Sequence, residues 1–430
     1  MKFLNELMEE IKLENFIEKP AYIKEVAETF IKTKGPVSKI GDIFENRENG
    51  ERYEVISTTT EENIMMSIEG KTDEKVGTFL YKSKIELNLP INVDDLKGKI
   101  IDCFGKPMDE TKFLHTKPFK SEKERINPLN RERIKNKVET GIRAIDGLLT
   151  IGKGQKIGIF AGTGVGKSTL LGMIAKKSKE DINVIALIGE RGREVREFIE
   201  KELGEEGMKR SVVVVSTSDE TPLRQLRAAD LATTIAELFR NKGLNVMLMM
   251  DSITRFAIAK RTLDMANGDI PMMGGKTTSM ESGLQKLLER AGNNERGSIT
   301  GIYTVLVEND DFNAPIPDMA RGILDGHIVL TRRLADQNHF PAIDVLSSVS
   351  RVMQDITDQN HWGLSREIKK YLSLYNENED EIKLGLIEKG VDREIDRSIL
   401  INKKINHFLK QDISEAYSME QTIENMRNTL

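Results

Sequence analysis

Apolar residues change their spacing several times along the chain, and each change marks a different kind of element. In the first twenty residues Phe3, Leu4, Leu7, Met8 and Ile11 recur at the i, i+3, i+4 interval of one helix face, and Pro20 ends the run. An apolar stripe at a chain end needs a cover, either its own domain or a partner. Its charges, Lys2, Lys12 and Lys19 against Glu6, Glu9, Glu10, Glu14 and Glu18, do not suit an anionic membrane surface. Over 21–102 the pattern shortens. Segments 53–57, 64–68, 76–80 and 84–89 read as strands, with Asn49-Gly50 and Glu69-Gly70 as neighbouring turns. Strands this closely spaced predict a small β-barrel domain.

A charged, irregular linker is expected over 103–133. Between 134 and 354 the apolar runs become continuous, at 156–160, 183–188, 212–215, 246–250 and 302–306, with helical spacing between them. Uninterrupted apolar strands alternating with helices predict a parallel sheet covered on both faces. Over 355–430 the strand signals vanish, and periodicity at 364–374 and 414–426 predicts a helical domain. The expected fold class is α/β: a parallel-sheet core preceded by a small barrel and followed by helices.

Composition narrows the function classes. The 430 residues carry 64 Lys+Arg against 69 Asp+Glu, a formal net charge of −5, so overall basic charge cannot drive polyanion binding, although a local basic site remains possible. A hydrophobic share of 38% beside 31% charged residues fits a globular chain with a charged surface. The single cysteine, Cys103, excludes an internal disulfide and a site built on several thiolates. Five histidines are too few to expect a histidine metal cluster. No apolar run approaches the roughly 18 residues that span a bilayer. The start, Met1-Lys2-Phe3-Leu4-Asn5-Glu6, lacks the basic and apolar regions of a secretory signal, and a cytoplasmic protein is expected.

The strongest local signal is Ala161-Gly162-Thr163-Gly164-Val165-Gly166-Lys167-Ser168-Thr169. It follows an expected strand and opens an expected helix, the setting that a phosphate-binding loop requires. Its glycines let backbone N–H groups cradle phosphate oxygens, Lys167 can reach the β- and γ-phosphates, and Ser168 can hold Mg²⁺. The helix N-terminus adds its positive end. Ala161 stands where the usual pattern has its first glycine. Asp251 closes the run 246–250, so its carboxylate should emerge at the carboxyl edge of the sheet, where ligand sites in such folds open. Capping the next helix is its plainer alternative. Glu190 lies just past the strand 183–188 and should reach the same edge, where a carboxylate can orient or deprotonate water. Spacing alone leaves equally open a surface Glu paired with Arg191 or Arg193.

The motifs taken together resemble the flagellar and type III secretion export ATPases, relatives of the rotary ATP synthases. Thr140-Gly141-Ile142-Arg143-Ala144-Ile145-Asp146-Gly147-Leu148-Leu149 is similar to the entry of their catalytic domain, and alanine at position 161 is common among the export branch. Gly189-Glu190-Arg191-Gly192-Arg193-Glu194-Val195, Asp251-Ser252-Ile253-Thr254-Arg255-Phe256-Ala257, Leu288-Glu289-Arg290-Ala291-Gly292-Asn293 and the segment 321–330 fit the same family. The resemblance is dense over 127–351 and weaker to the C-terminus. It implies a RecA-like P-loop core that binds ATP and Mg²⁺, with Gly162, Thr163, Gly164, Val165, Gly166, Lys167, Ser168 and Thr169 around the phosphates. It further implies Ser168 and Asp251 at the metal, and Lys167, Glu190 and Arg191 in catalysis. Arg255 becomes a conformational support, Phe340 of Phe340-Pro341 lies against adenine, and Arg351 reaches a neighbouring subunit's nucleotide. The chain departs from the family in having Gln285 where a proline is usual, in the composition of 271–276, and throughout the N-terminal region.

The resemblance implies a homohexameric Mg-ATPase that energises protein export, peripherally associated with the export apparatus at the inner face of the cell membrane. Its implied partners are a stator-like regulator held by the N-terminal helix, and export substrates or their chaperones. A catalytic subunit of a proton- or sodium-driven ATP synthase is the alternative, but an acidic segment contacting a rotating shaft is not evident over 377–388. An RNA translocase would need exposed aromatics and basic residues on its barrel, against which 5% aromatic content and the acidic balance argue. A non-catalytic nucleotide-binding subunit should lack Glu190. If the N-terminal helix recruits a partner, deleting residues before Pro20 leaves ATPase activity measurable and weakens association with an export partner in pull-down. Unfolding of the truncated chain would instead assign the stripe to the core.

Overall fold

The computed structural model describes residues 19–70, 72–84, 88–109, 111–113, 115–118, 129, 131–272, 275–308, 311–388 and 390–430. The amphipathic helix expected at the N-terminus lies outside these residues.

Six short strands close into a barrel: β1 (Ala21–Val26), β2 (Ile31–Lys34), β3 (Ile43–Glu45), β4 (Arg52–Thr58), β5 (Glu62–Ser67) and β6 (Phe79–Ser83), in the order β1-β2-β5-β4-β3-β6. Alternation places Ala21, Ile23, Ile31, Phe44, Tyr53, Val55, Met65 and Leu80 inside. The strand expected at 76–80 begins only at Phe79, because Gly77 takes a left-handed turn with φ of 101°. Of the strand expected at 84–89, Asn88–Pro90 forms β7, which pairs with β9 (Thr116–Pro118) from the expected linker. Lys99–Ile101, expected with the barrel, forms β8 and runs at the edge of the central sheet.

That sheet contains β10 (Lys156–Ala161), β11 (Ile182–Glu190), β12 (Ser211–Thr217), β13 (Asn245–Asp251), β14 (Gly292–Asn293), β15 (Ser298–Leu306), β16 (Gly326–Leu330) and β17 (Ile343–Ser350). Its order is β17-β16-β10-β15-β13-β11-β12-β8; the strands from β16 to β8 run parallel, β17 is antiparallel to β16, and β14 pairs antiparallel to β15. Period-two geometry divides each apolar run between two cores. Val184, Ala186, Ile188, Leu248 and Met250 face the helices Pro222–Asn241 and Ile253–Ala266. Ile185, Leu187, Met247 and Met249 face the helix Lys167–Lys177 and the C-terminal helices. Both faces are covered, which is why these strands read as continuous apolar runs.

The barrel sits on the helix Pro222–Asn241. Arg227 bonds Glu54 at 2.6 Å, and the guanidinium groups of Arg52, Arg224 and Arg227 surround the Phe104 ring. The C-terminal region packs three helices, Gln359–Glu377, Arg393–Leu409 and Met419–Thr429, against the short helix Arg143–Leu148. A Cβ on Gly147 would lie 2.9 Å from the Met426 sulfur and 3.0 Å from the Phe408 ring, so these helices approach as they do because position 147 has no side chain. The helix expected from residue 414 starts at Met419 instead: Asp412 holds Ser414 in a turn, and Ser418 with Gln421 forms a capping box. The connecting loop is tied down by buried Gln411, whose side chain accepts from the Arg143 N–H and donates to Gly141 O and Glu415 O. The expected sequence of barrel, P-loop core and helical domain is the one the chain adopts.

Candidate functional site

β10 leads directly into the glycine-rich loop, and the helix Lys167–Lys177 leaves it. Ala161 is the last residue of the strand, paired with Leu306 on one side and Leu330 on the other. Its backbone is regular strand, so glycine is not required there. Glycine is required further on, where Gly164 and Gly166 have φ of 78° and 90°. Val165 is buried, while Thr163, Gly164 and Ser168 are exposed at the mouth of the loop.

The strand order brings the expected acidic residues to this loop. β15 lies between β10 and β13, and β11 lies on the far side of β13. Asp251 therefore ends its strand close to the start of the loop helix, and its Oδ1 accepts from Lys167 Nζ at 2.6 Å. Thr304 of β15 donates its hydroxyl to the same oxygen at 2.7 Å. Glu190 Oε1 lies 3.7 Å from Lys167 Nζ. The register of β11 against β12 slips between Ile188 and Glu190, where Gly189 takes a φ of 68°. A Cβ on Gly189 would stand 2.9 Å from the Cβ and Cγ of Arg255, so glycine there lets the Arg255 stem lie against the strand end beside Glu190.

Burial pushes the Glu190 carboxyl up to about 7; the charge on Asp251 adds to this, Lys167 opposes it, and Glu194 raises it further. Burial pulls the Lys167 ammonium down, but Asp251 and Glu190 outweigh it and hold the group above its ordinary value. A carboxyl with a raised pKa beside a firmly charged lysine suits proton chemistry next to an anionic ligand.

The other expected residues take various places. Phe340 is partly exposed and close to the loop, since a Cβ on Gly166 would lie 3.7 Å from its ring; its carbonyl accepts from the Gln411 N–H at 2.9 Å. Arg191 points to solvent, 3.5 Å from Glu194. Thr169 turns its hydroxyl to Glu202 at 2.9 Å rather than to the loop mouth. Arg351 is at the opposite edge of the sheet: its N–H bonds Asp325 O, and the Asp325 N–H bonds Lys156 O at the start of β10. β10 is six residues long, so Arg351 and the loop are separated by roughly 17 Å of strand. Sequence reasoning missed Thr304 and Gln411. Thr304 had a usable signal, a hydroxyl within an otherwise apolar run, whereas Gln411 had none.

Hard oxygen donors at the loop are the Ser168 hydroxyl and the Asp251 carboxylate. Among the described residues there is no cluster of three or more His, Cys, Asp and Glu side chains placed to hold a metal. One hydroxyl and one carboxylate, with other positions open to phosphate oxygens and water, fit Mg²⁺.

Residues 141–350 match the model of the ATP synthase alpha/beta family nucleotide-binding domain, and residues 357–428 match that of the type III secretion EscN ATPase C-terminal domain. The chain is 48% identical over 408 residues to the flagellum-specific ATP synthase of Bacillus subtilis, covering 93% of each chain. It is 41% identical to the type 3 secretion system ATPase of Xanthomonas euvesicatoria over 94% of this chain and 92% of that one. The assembled ATPase EscN from enteropathogenic E. coli superposes with a TM-score of 0.90 at 43% identity, over 95% of this chain and 99% of the other. EscN in complex with its central stalk EscO gives 0.87 at the same identity and coverage.

Two measurements test the geometry. The acid limb of kcat/KM should have its midpoint near pH 7, activity rising as pH increases and Glu190 ionises; a midpoint near 4.5, the ordinary value for a Glu, would show that this carboxyl is not the titrating group. Lys167→Ala should lose both nucleotide binding and turnover, because its charge serves ground and transition states alike. Glu190→Gln should still bind Mg-ATP while turnover falls by roughly a hundredfold or more, and near-normal turnover would remove Glu190 from the chemistry.

Proposed function

Because the chain belongs to the ATP synthase alpha/beta nucleotide-binding family, in its flagellar and type III secretion branch, we propose that it is a Mg-ATP-hydrolysing ATPase that works as a homohexamer and energises protein export through a flagellar-type secretion apparatus. The observation that carries this reading is the meeting of Lys167, Glu190 and Asp251 at the phosphate loop.

The loop N–H groups from Gly162 to Thr169 and the Lys167 ammonium bind the β- and γ-phosphates. Ser168 and Asp251 hold the Mg²⁺, which when bound neutralises charge on the phosphate oxygens. Thr304 keeps Asp251 oriented through its hydroxyl. Glu190 sits beside Lys167 on the far side from the loop strand, where its carboxylate orients the attacking water and takes up its proton. Arg191, exposed at the next position beside Glu194, can turn from that carboxylate to phosphate or a neighbouring subunit. Phe340 offers its ring face to adenine.

Arg351 completes the site in another subunit. Its place at the opposite edge of the sheet from its own loop supports this role, since the side chain cannot cover roughly 17 Å of strand. A guanidinium supplied by a neighbour stabilises charge on the γ-phosphoryl oxygens with fixed donors. The proposed partners are further copies of this chain, a stator-like regulator held by the N-terminal helix, and export substrates or chaperones. An axial stalk is proposed from the EscN–EscO complex. No helix among the described residues is long and apolar enough to cross a membrane. A cytoplasmic location, peripheral to the export apparatus at the inner membrane face, accords with that reading.

Subunit mixing tests the shared site. Arg351→Ala and Glu190→Gln assemblies should each be nearly inactive alone. Mixed assemblies in which subunits have exchanged should recover part of the activity, because some interfaces then pair an intact Glu190 with an intact Arg351. No recovery after proven exchange would place Arg351 outside the neighbour's site.

A further inference from the structure

The phosphate-loop helix touches the arm that follows Glu190 at a second place, which the chemistry above does not use. The arm runs as the helix Gly192–Glu197, a π-helical turn Phe198–Leu203 and the helix Gly204–Lys209. Within the turn, the Glu202 carboxylate accepts from the Thr169 hydroxyl at 2.9 Å. Thr169 follows directly on Ser168 in the first turn of the loop helix. The backbones are in contact one turn further on, where a Cβ on Gly172 would lie 2.7 Å from both the Cβ and the carbonyl oxygen of Glu202. Only glycine admits that approach, so the helix and the π-helical turn meet at a spacing set by their backbones. π-helical turns recur at functional sites, where an extra residue per turn redirects a side chain.

We propose that Glu202 is a positioning residue, which holds the Thr169 hydroxyl and thereby fixes the phosphate-loop helix against the arm that carries Glu190. The inference rests on the ATP-hydrolysing reading of the site. Lys167 and Glu190 are joined across 3.7 Å, too long for a tight ion pair to set their relative position. The hydrogen bond from the Thr169 hydroxyl to the Glu202 side-chain oxygen is shorter, at 2.9 Å, and directional. It makes the loop helix and the arm one rigid unit, so phosphates seated on the loop meet Glu190 at a constant distance. It also turns the Thr169 side chain away from the mouth of the loop while leaving its backbone N–H in place. A displacement of about 1 Å between reacting groups can cost up to about a hundredfold in rate, so a tie outside the chemistry can matter to turnover.

Steady-state ATPase kinetics of the full chain test this. Glu202→Leu removes the acceptor and should lower kcat roughly tenfold while KM for ATP changes less than about twofold. Glu202→Gln keeps an oxygen that accepts from Thr169 and should retain most of kcat. Thr169→Val should reproduce the loss, and the double variant Thr169→Val/Glu202→Leu should be no worse than either single one, as expected for two ends of one contact. Normal kcat per folded chain in Glu202→Leu, with only a lower melting temperature, overturns the proposal, and so does an equal loss in Glu202→Gln and Glu202→Leu. If Glu202→Leu does not fold, Thr169→Val decides alone: unchanged kcat overturns the proposal, and a roughly tenfold fall supports it. Full activity in Lys167→Ala would instead bring down the ATPase reading itself, a result distinct from any of these.

Discussion

An ammonium and two carboxylates sit together at the edge of an otherwise apolar sheet, and such charges are tolerated away from water only when paired and hydrogen-bonded. Lys167 answers Asp251 directly and Glu190 at longer range, and Thr304 satisfies Asp251 from a third strand. Each partner comes from a different part of the chain. The strand order β10-β15-β13-β11 is what brings the four residues to one place, with the Thr304 strand between the loop strand and the Asp251 strand. A slip of one residue in any of these parallel pairings would send the polar group to the wrong level, or to the opposite face, and leave a charge unpaired.

The two other domains hold this cluster in place from opposite sides. The barrel is docked by the Arg227–Glu54 pair and by three guanidinium groups around Phe104, on the helix that covers one face of the sheet. The C-terminal helices cover the other face through Phe408 and Met426, closely packed over Gly147. Their connecting loop reaches further. Gln411 links the start of the catalytic domain to the backbone of Phe340, and Lys177, at the end of the phosphate-loop helix, donates to Glu415 O. A rotation of the helical domain would therefore act on both the loop helix and the ring beside the loop.

The sheet also separates functions between its edges. At the carboxyl edge are the loop, Glu190, Asp251 and Phe340; at the amino edge, Arg351 donates to Arg321 O and lies beside Asp325. A chain that places its phosphate loop and this arginine at opposite edges cannot bring both to one nucleotide by itself.

Much of this was legible in the residues. Continuous apolar runs at 183–188 and 246–250 announced strands buried on both faces, because a side-chain period of two with no polar face leaves no side for water. Glycines 164 and 166 with Lys167 announced the loop, because left-handed backbone and phosphate cradling both demand glycine at those points. Ala161, where the usual loop pattern has glycine, lies in regular strand, where glycine offers nothing. Strand order, the Thr304 bond to Asp251, the Gln411 clamp, the Thr169–Glu202 tie and the edge occupied by Arg351 were all beyond reach of the sequence. These join residues separated by tens to hundreds of positions, and periodicity and turn chemistry report only on near neighbours. Local pattern determined which elements exist and which carry charge at their ends; only the packing of those elements decided which charges meet.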